Sequence, residues 1–103
     1  MDIPVQFEAD KARITLPHAF DLAVQAGFRQ AYSNALMNSA VREIEIDFTA
    51  VGYIDSSALG SLLLLRQRAE AMVKNISFRQ CHPEVMKTLT MANFHRIFDI
   101  NRM

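Results

Sequence analysis

The sequence predicts an α/β domain with a mixed sheet of about four to five strands and helices packed on one face. Three observations carry this prediction. Two short alternating segments open the chain, and period-3.6 and period-2 segments then take turns to its end. In 43–48, Ile44, Ile46 and Phe48 share one side while Glu43, Glu45 and Asp47 share the other. A parallel sheet covered on both faces would instead give nearly continuous apolar strands.

Taken in order, Val5, Phe7 and Ala9 alternate with polar neighbours, Asp10-Lys11 offers a turn, and Ala12, Ile14 and Leu16 alternate again, which reads as a hairpin closed by Pro17. From 20 to 37, Val24, Phe28, Ala31, Ala35 and Leu36 recur at helical spacing. Strand 43–48 follows, then a short apolar step at Tyr53-Ile54 and a run of helix formers over 58–74. Ile76, Phe78 and Gln80 alternate with Ser77, Arg79 and Cys81 as a further strand. His82-Pro83-Glu84 opens a third helix with inner residues Val85, Met86, Leu89 and Ala92, stopped at Asn93. Phe94, Ile97, Phe98 and Ile100 form a last apolar segment, read as a helical turn and an edge strand.

The 103 residues, half of them hydrophobic, make one domain over 1–103, large enough to bury a core without metal or disulfide support. Cys81 has no partner for an intrachain disulfide and fits a reducing compartment. Eleven basic residues balance eleven acidic ones, with no basic stripe, which argues against nucleic acid or an anionic membrane as the main partner. The N-terminus lacks a signal-peptide pattern and the longest apolar run is Leu62 to Leu65, so the expected location is the cytoplasm, without membrane insertion.

Asp55-Ser56-Ser57 is the most informative stretch, because carboxylate and hydroxyl groups gather just where a helix leaves its first N–H groups without partners. Asp and Ser are common caps. A serine there is also well placed to carry a phosphate, whose charge of about −2 is favoured by the helix dipole. The two readings are compatible.

Asp47-Phe48 through Val51, then Tyr53-Ile54-Asp55-Ser56-Ser57-Ala58-Leu59-Gly60 and the leucine-rich helix after them, resemble the STAS family, and more narrowly a bacterial anti-sigma-factor antagonist. The likeness spans nearly the whole chain. It implies a single STAS-like domain without catalytic residues or cofactor, acting by partner switching: the unphosphorylated form binds an anti-sigma factor that is also a serine kinase, and phosphorylation at Ser56 releases it. Ser57 is the fallback acceptor, and Asp21, like Asp55, is expected near the phosphosite. A PP2C-type serine phosphatase would reset the cycle, and Pro17 to Asp21 resembles members working with response regulators that carry phosphatase modules. The chain departs from the family at Pro17-His18-Ala19 and at Ala58, where glycine is usual. The alternative is a STAS subunit of a membrane-associated ABC transport complex, bound to its ATPase without a phosphorylation cycle.

At roughly 100° per residue, Ala58, Leu62, Leu65, Ala69 and Val73 form the core face of the second helix, with Leu59 and Met72 at its margins. Gly60, Leu64, Gln67 and Ala71 fall opposite. With Ser57 they are the expected partner-binding surface, since a partner on this stripe would cover the serines. Cys81 reads as a small strand-end hydrophobe, and neighbouring Cys81 and His82 do not make a catalytic pair. His18, His82 and His95 lack metal-ligand spacing, so no metal site is expected. Glu43, Glu45 and Asp47 read as a solvated strand face.

Overall fold

The computed structural model describes residues 2–102. Strand β1 (Val5–Glu8) pairs antiparallel with β2 (Lys11–Thr15), and β2 runs parallel to β4 (Glu43–Asp47), β4 to β6 (Asn75–Cys81) and β6 to β7 (Asp99–Arg102). This gives a five-stranded mixed sheet in the order β1-β2-β4-β6-β7. A separate parallel pair joins β3 (Ala19–Phe20) to β5 (Tyr53–Ile54). Helices α1 (Gln25–Met37), α2 (Ser56–Ala71) and α3 (Pro83–Met91) alternate with the strands, and single 3-10 turns occupy Leu22–Val24 and Phe94–Arg96.

The hairpin turn is Ala9-Asp10 rather than Asp10-Lys11, because Glu8 pairs with Lys11 and Ala9 takes the positive φ of 54° that the two-residue turn requires. Helix α1 starts at Gln25, not at residue 20, since Phe20 is a strand residue and Asp21 caps the intervening 3-10 turn. Val24, Phe28, Ala31, Ala35 and Leu36 are buried as their spacing predicts, with Tyr32 beside them. The signal for Tyr32 was its i,i+4 relation to Phe28.

One side of the sheet carries the core, where Ala12, Ile14, Ile44, Ile46 and Phe78 meet Phe28 and Leu36 of α1, Leu62 and Leu65 of α2, and Val85 and Leu89 of α3. Six of the seven phenylalanines bury their rings and contact one another in a row: Phe28, Phe20, Phe48, Phe78, Phe98 and Phe94, with centroid separations of 4.5 to 6.3 Å. Offset and edge-on pairs of this kind add about 0.5–1.5 kcal/mol each beyond area burial. Phe20 thereby roots β3, the strand leading into the Asp21 turn, in the centre of the molecule.

Four readings of pattern are corrected. Val73 is 89% exposed rather than core, because α2 ends at Ala71 and Val73 turns into the left-handed region. Ala92 is exposed because α3 ends at Met91. Gln80, at φ 58°, sits in a bulge between β6 and β7, so the alternation slips by one and Cys81, not Gln80, faces the core. Glu45 is not a solvated residue. It is buried at the centre of the sheet's polar face, taking hydrogen bonds from Lys11 (3.0 Å) and Arg13 (2.7 Å) on β2 and Arg79 (3.3 Å) on β6. Burial pushes its carboxyl up, but these three donors outweigh it and hold the group below the ordinary carboxylate range.

Candidate functional site

The β3–β5 pair sets the Asp21 turn beside the start of α2, because Ala19 lies opposite Tyr53 and Phe20 opposite Ile54, one residue before Asp55. The Asp55 N–H donates to the Phe20 carbonyl at 3.4 Å. Asp21 caps its own 3-10 turn, its Oδ1 accepting from Ala23 N–H at 3.1 Å, and that geometry leaves the next amide, Leu22 N–H, to donate to Asp55 Oδ2 at 3.0 Å. Asp55 is extended (φ −112°, ψ 178°) as an N-cap should be, and its Oδ1 accepts from Ala58 N–H at 3.0 Å and from the Ser57 hydroxyl at 2.6 Å. Asp21 and Asp55 are thus joined through Leu22.

These donors set the electrostatics. The Ser57 hydroxyl first, then Ala58 N–H, hold the Asp55 carboxyl below the usual carboxylate range, so it is ionised at neutral pH. Its charge opposes the positive end of the α2 dipole. The two serines are consequently unlike. Ser57 is half-buried with its hydroxyl committed to Asp55, whereas Ser56, the first residue of α2, is exposed.

From Ser56 the outer side of α2 continues through Gly60, Leu64, Gln67 and Ala71, all exposed. A Cβ added at Gly60 would meet nothing within 4 Å, so the helix is free of neighbours there. Two apolar residues extend this surface beyond the sequence reading. Leu63 is 44% exposed and Leu22 is 71% exposed. Leu63 was detectable, lying i+3 from Gly60 and i−4 from Gln67. Leu22 was not, because only the tertiary pairing of β3 with β5 brings its turn to α2.

His18 and His82 have structural partners and Cys81 is buried. His18 is exposed, its carbonyl accepts from Gly52 N–H (2.9 Å) and Tyr53 N–H (3.2 Å), and its ring lies against Gly52 so closely that a Cβ there would clash with Nε2. His82 Nε2 is 2.6 Å from the Thr49 carbonyl oxygen, to which it donates. Burial pushes the Cys81 thiol up to about 12, with Asp47 adding to the shift, which keeps it protonated and unreactive. Among the described residues no group of three or more His, Cys, Asp or Glu is placed to hold a metal ion. No helix among them is long and apolar enough to cross a membrane.

Comparison with known proteins agrees with this fold. A family model described as "Mlab, STAS domain" matches residues 3–100. A STAS-domain containing protein of Pseudomonas aeruginosa (strain UCBPP-PA14) is 36% identical over 94 residues, covering 91% of each chain. Among solved structures, the crystal structure of a putative anti-sigma factor antagonist from Thermotoga maritima superposes with a TM-score of 0.85 at 18% identity, covering 98% of this chain and 86% of that one. The phosphorylated form of the Bacillus cell fate determinant SpoIIAA superposes with a TM-score of 0.74 at 19% identity, covering 95% and 89%. On the family match and the Pseudomonas relative together, this chain belongs to the STAS-domain family.

Proposed function

We infer that the protein is an anti-sigma-factor antagonist that switches partners through phosphorylation of Ser56. The observation that carries this reading is the exposed Ser56 at the head of a helix whose outer stripe is also exposed. In the unphosphorylated state, Ser57, Gly60, Leu64, Gln67 and Ala71 form the surface on which an anti-sigma factor with serine-kinase activity packs, freeing that factor's client. The kinase transfers a phosphoryl group to the Ser56 hydroxyl, and a PP2C-type phosphatase removes it. The chain is acted upon and catalyses nothing itself, and both enzymes meet it in the cytoplasm.

The physics required is modest. A hundredfold loss of affinity is about 2.7 kcal/mol. A phosphate of charge about −2, set beside the ionised Asp55 and facing a packed partner, supplies this by repulsion and desolvation. Phosphorylated SpoIIAA, with the same fold, supports the reading by analogy. The deciding experiment is intact mass on the protein from its native cells, followed by fragment spectra that separate Ser56 from Ser57. Phosphate on Ser56 in part of the population is the expected result. A chain unmodified in growth, starvation and stationary phase overturns the reading, and the ABC-transport alternative, tested by co-purification with an ATPase, then takes its place.

A further inference from the structure

Gln25 opens α1 on the helix face that otherwise buries Phe28, Tyr32 and Leu36, where packing alone calls for an apolar side chain. It is only 8% exposed, and its Oε1 has no hydrogen-bond partner among the described residues. A buried acceptor left unpaired is destabilising, so the residue is retained at a cost to the fold. What the amide does make is one short bond: Nε2 donates to the Asp21 carbonyl at 2.7 Å. The orientation is dictated, since turning the amide over would set oxygen against oxygen.

We propose that Gln25 is a positioning residue for the serine site. Its bond, at 2.7 Å the shorter of two on the Asp21 carbonyl beside the 3.3 Å bond from Val24 N–H, braces the turn from the side chain, and the same turn presents Leu22 N–H to Asp55 at 3.0 Å. Held by Leu22 on one oxygen and by Ser57 and Ala58 on the other, the Asp55 carboxylate has a single orientation, and the Ser56 hydroxyl beside it stays available to a kinase. Without Gln25 the turn loosens, Asp55 gains freedom to accept from Ser56, and the hydroxyl is turned back toward the cap and away from an incoming kinase. The functional part of this inference rests on the reading of Ser56 as the phosphosite.

The test is Gln25→Met, which keeps the volume, removes the donor and relieves the unpaired Oε1. Positioning predicts a split result: global stability unchanged or raised, amide exchange at Leu22 and Ala58 faster by about tenfold, the equivalent of one hydrogen bond, and Ser56 phosphorylation in native cells severalfold lower. Gln25→Glu is the second variant. Its ionised carboxylate opposes the Asp21 carbonyl, whereas its protonated form donates as the amide does. Leu22 exchange should therefore return toward the wild-type rate as pH falls, measured against wild type because Asp21 and Asp55 are common to both. Unchanged exchange at Leu22 and Ala58 in both variants overturns the proposal, as does altered exchange with unaltered Ser56 phosphorylation. If wild type itself is never modified, the phosphosite reading fails separately, and the exchange data still decide whether Gln25 positions Asp55.

Discussion

The two ends of α2 are built by opposite means. At the N-terminus every group follows its local preference: Asp55 is extended, caps Ala58 N–H, and takes the Ser57 hydroxyl as a further donor. At the C-terminus a Schellman turn closes through Lys74 N–H to the Ala69 carbonyl (2.9 Å) and Val73 N–H to the Glu70 carbonyl (3.1 Å), which puts β-branched Val73 at φ 57°. Glycine is the usual residue there. Left-handed backbone costs a residue with a Cβ about 1–2 kcal/mol. The strain is tolerated because the next residue uses the turn: Lys74 Nζ reaches the C-terminal end of α1, the carbonyl of its C-cap Asn38 at 2.6 Å and that of Ala35 at 3.5 Å. One end leaves a residue free for chemistry at no cost to the backbone, while the other accepts strain to tie two helices together.

The largest effect is expected at the tie. Lys74→Met removes a cationic donor from the α1 C-terminus and should lower stability by about 1.5–3 kcal/mol, the range for hydrogen bonds to charged groups. Urea denaturation measures it, and a loss below about 0.5 kcal/mol, the size of an exposed pair, would dissolve the contrast between the two ends. Next comes Val73→Gly, in the opposite direction. Relief of about 1–2 kcal/mol of strain, less about 0.5–1 kcal/mol for the freer unfolded chain, leaves a net gain of about 0–1.5 kcal/mol. A destabilised glycine variant would show that the Val73 side chain contributes more than its 89% exposure suggests.

The same contrast explains what was legible in the sequence. The N-terminal end is local chemistry: a carboxylate and two hydroxyls before a run of helix formers announce a cap without knowledge of the fold. Val73 continued the 3.6 period and so read as core, because no glycine or proline marked the stop. Glu45 misread for another reason. Alternation assigns it correctly to the polar face, but its burial depends on Lys11, Arg13 and Arg79, which lie 32 to 34 residues away on neighbouring strands. Gln25 was missed because its burial is tertiary, although its bond to the Asp21 carbonyl spans only four residues, and Leu22 was missed because its place beside α2 arises from the β3–β5 pairing. Strand β3 is only two residues long, too short for a period to show.

Two smaller effects sharpen the picture at the N-terminal end. Asp55 is held below its ordinary value in the folded chain, so its contribution is full at neutral pH and declines as pH falls from the unfolded value of about 3.9 toward the folded one. Asp55→Asn keeps an acceptor for Ala58 but presents a donor to Leu22 N–H, so it should lower stability at pH 7 and flatten the acid limb of the stability–pH curve. Parallel acid limbs for variant and wild type would mean that the Asp55 carboxylate is not held by the donors around it.

The smallest effect on stability should come from the modification with the largest proposed consequence for binding. A phosphate on Ser56 gains from the α2 dipole, about 0.3–1 kcal/mol for a surface charge in the first turn, and loses a comparable amount to the ionised Asp55 beside it. Because Ser56 is exposed and Asp55, not Ser56, caps the helix, no bond that holds the fold is broken. Phosphorylated and unmodified protein should therefore melt within about 2 °C of each other, a few tenths of a kcal/mol on the scale of a domain this size. Their amide-exchange patterns should differ only at the Asp21 turn and the first turn of α2. Exchange that rises across the central strands would mean that phosphorylation refolds the protein, and release would then follow from lost structure rather than from charge at an intact surface.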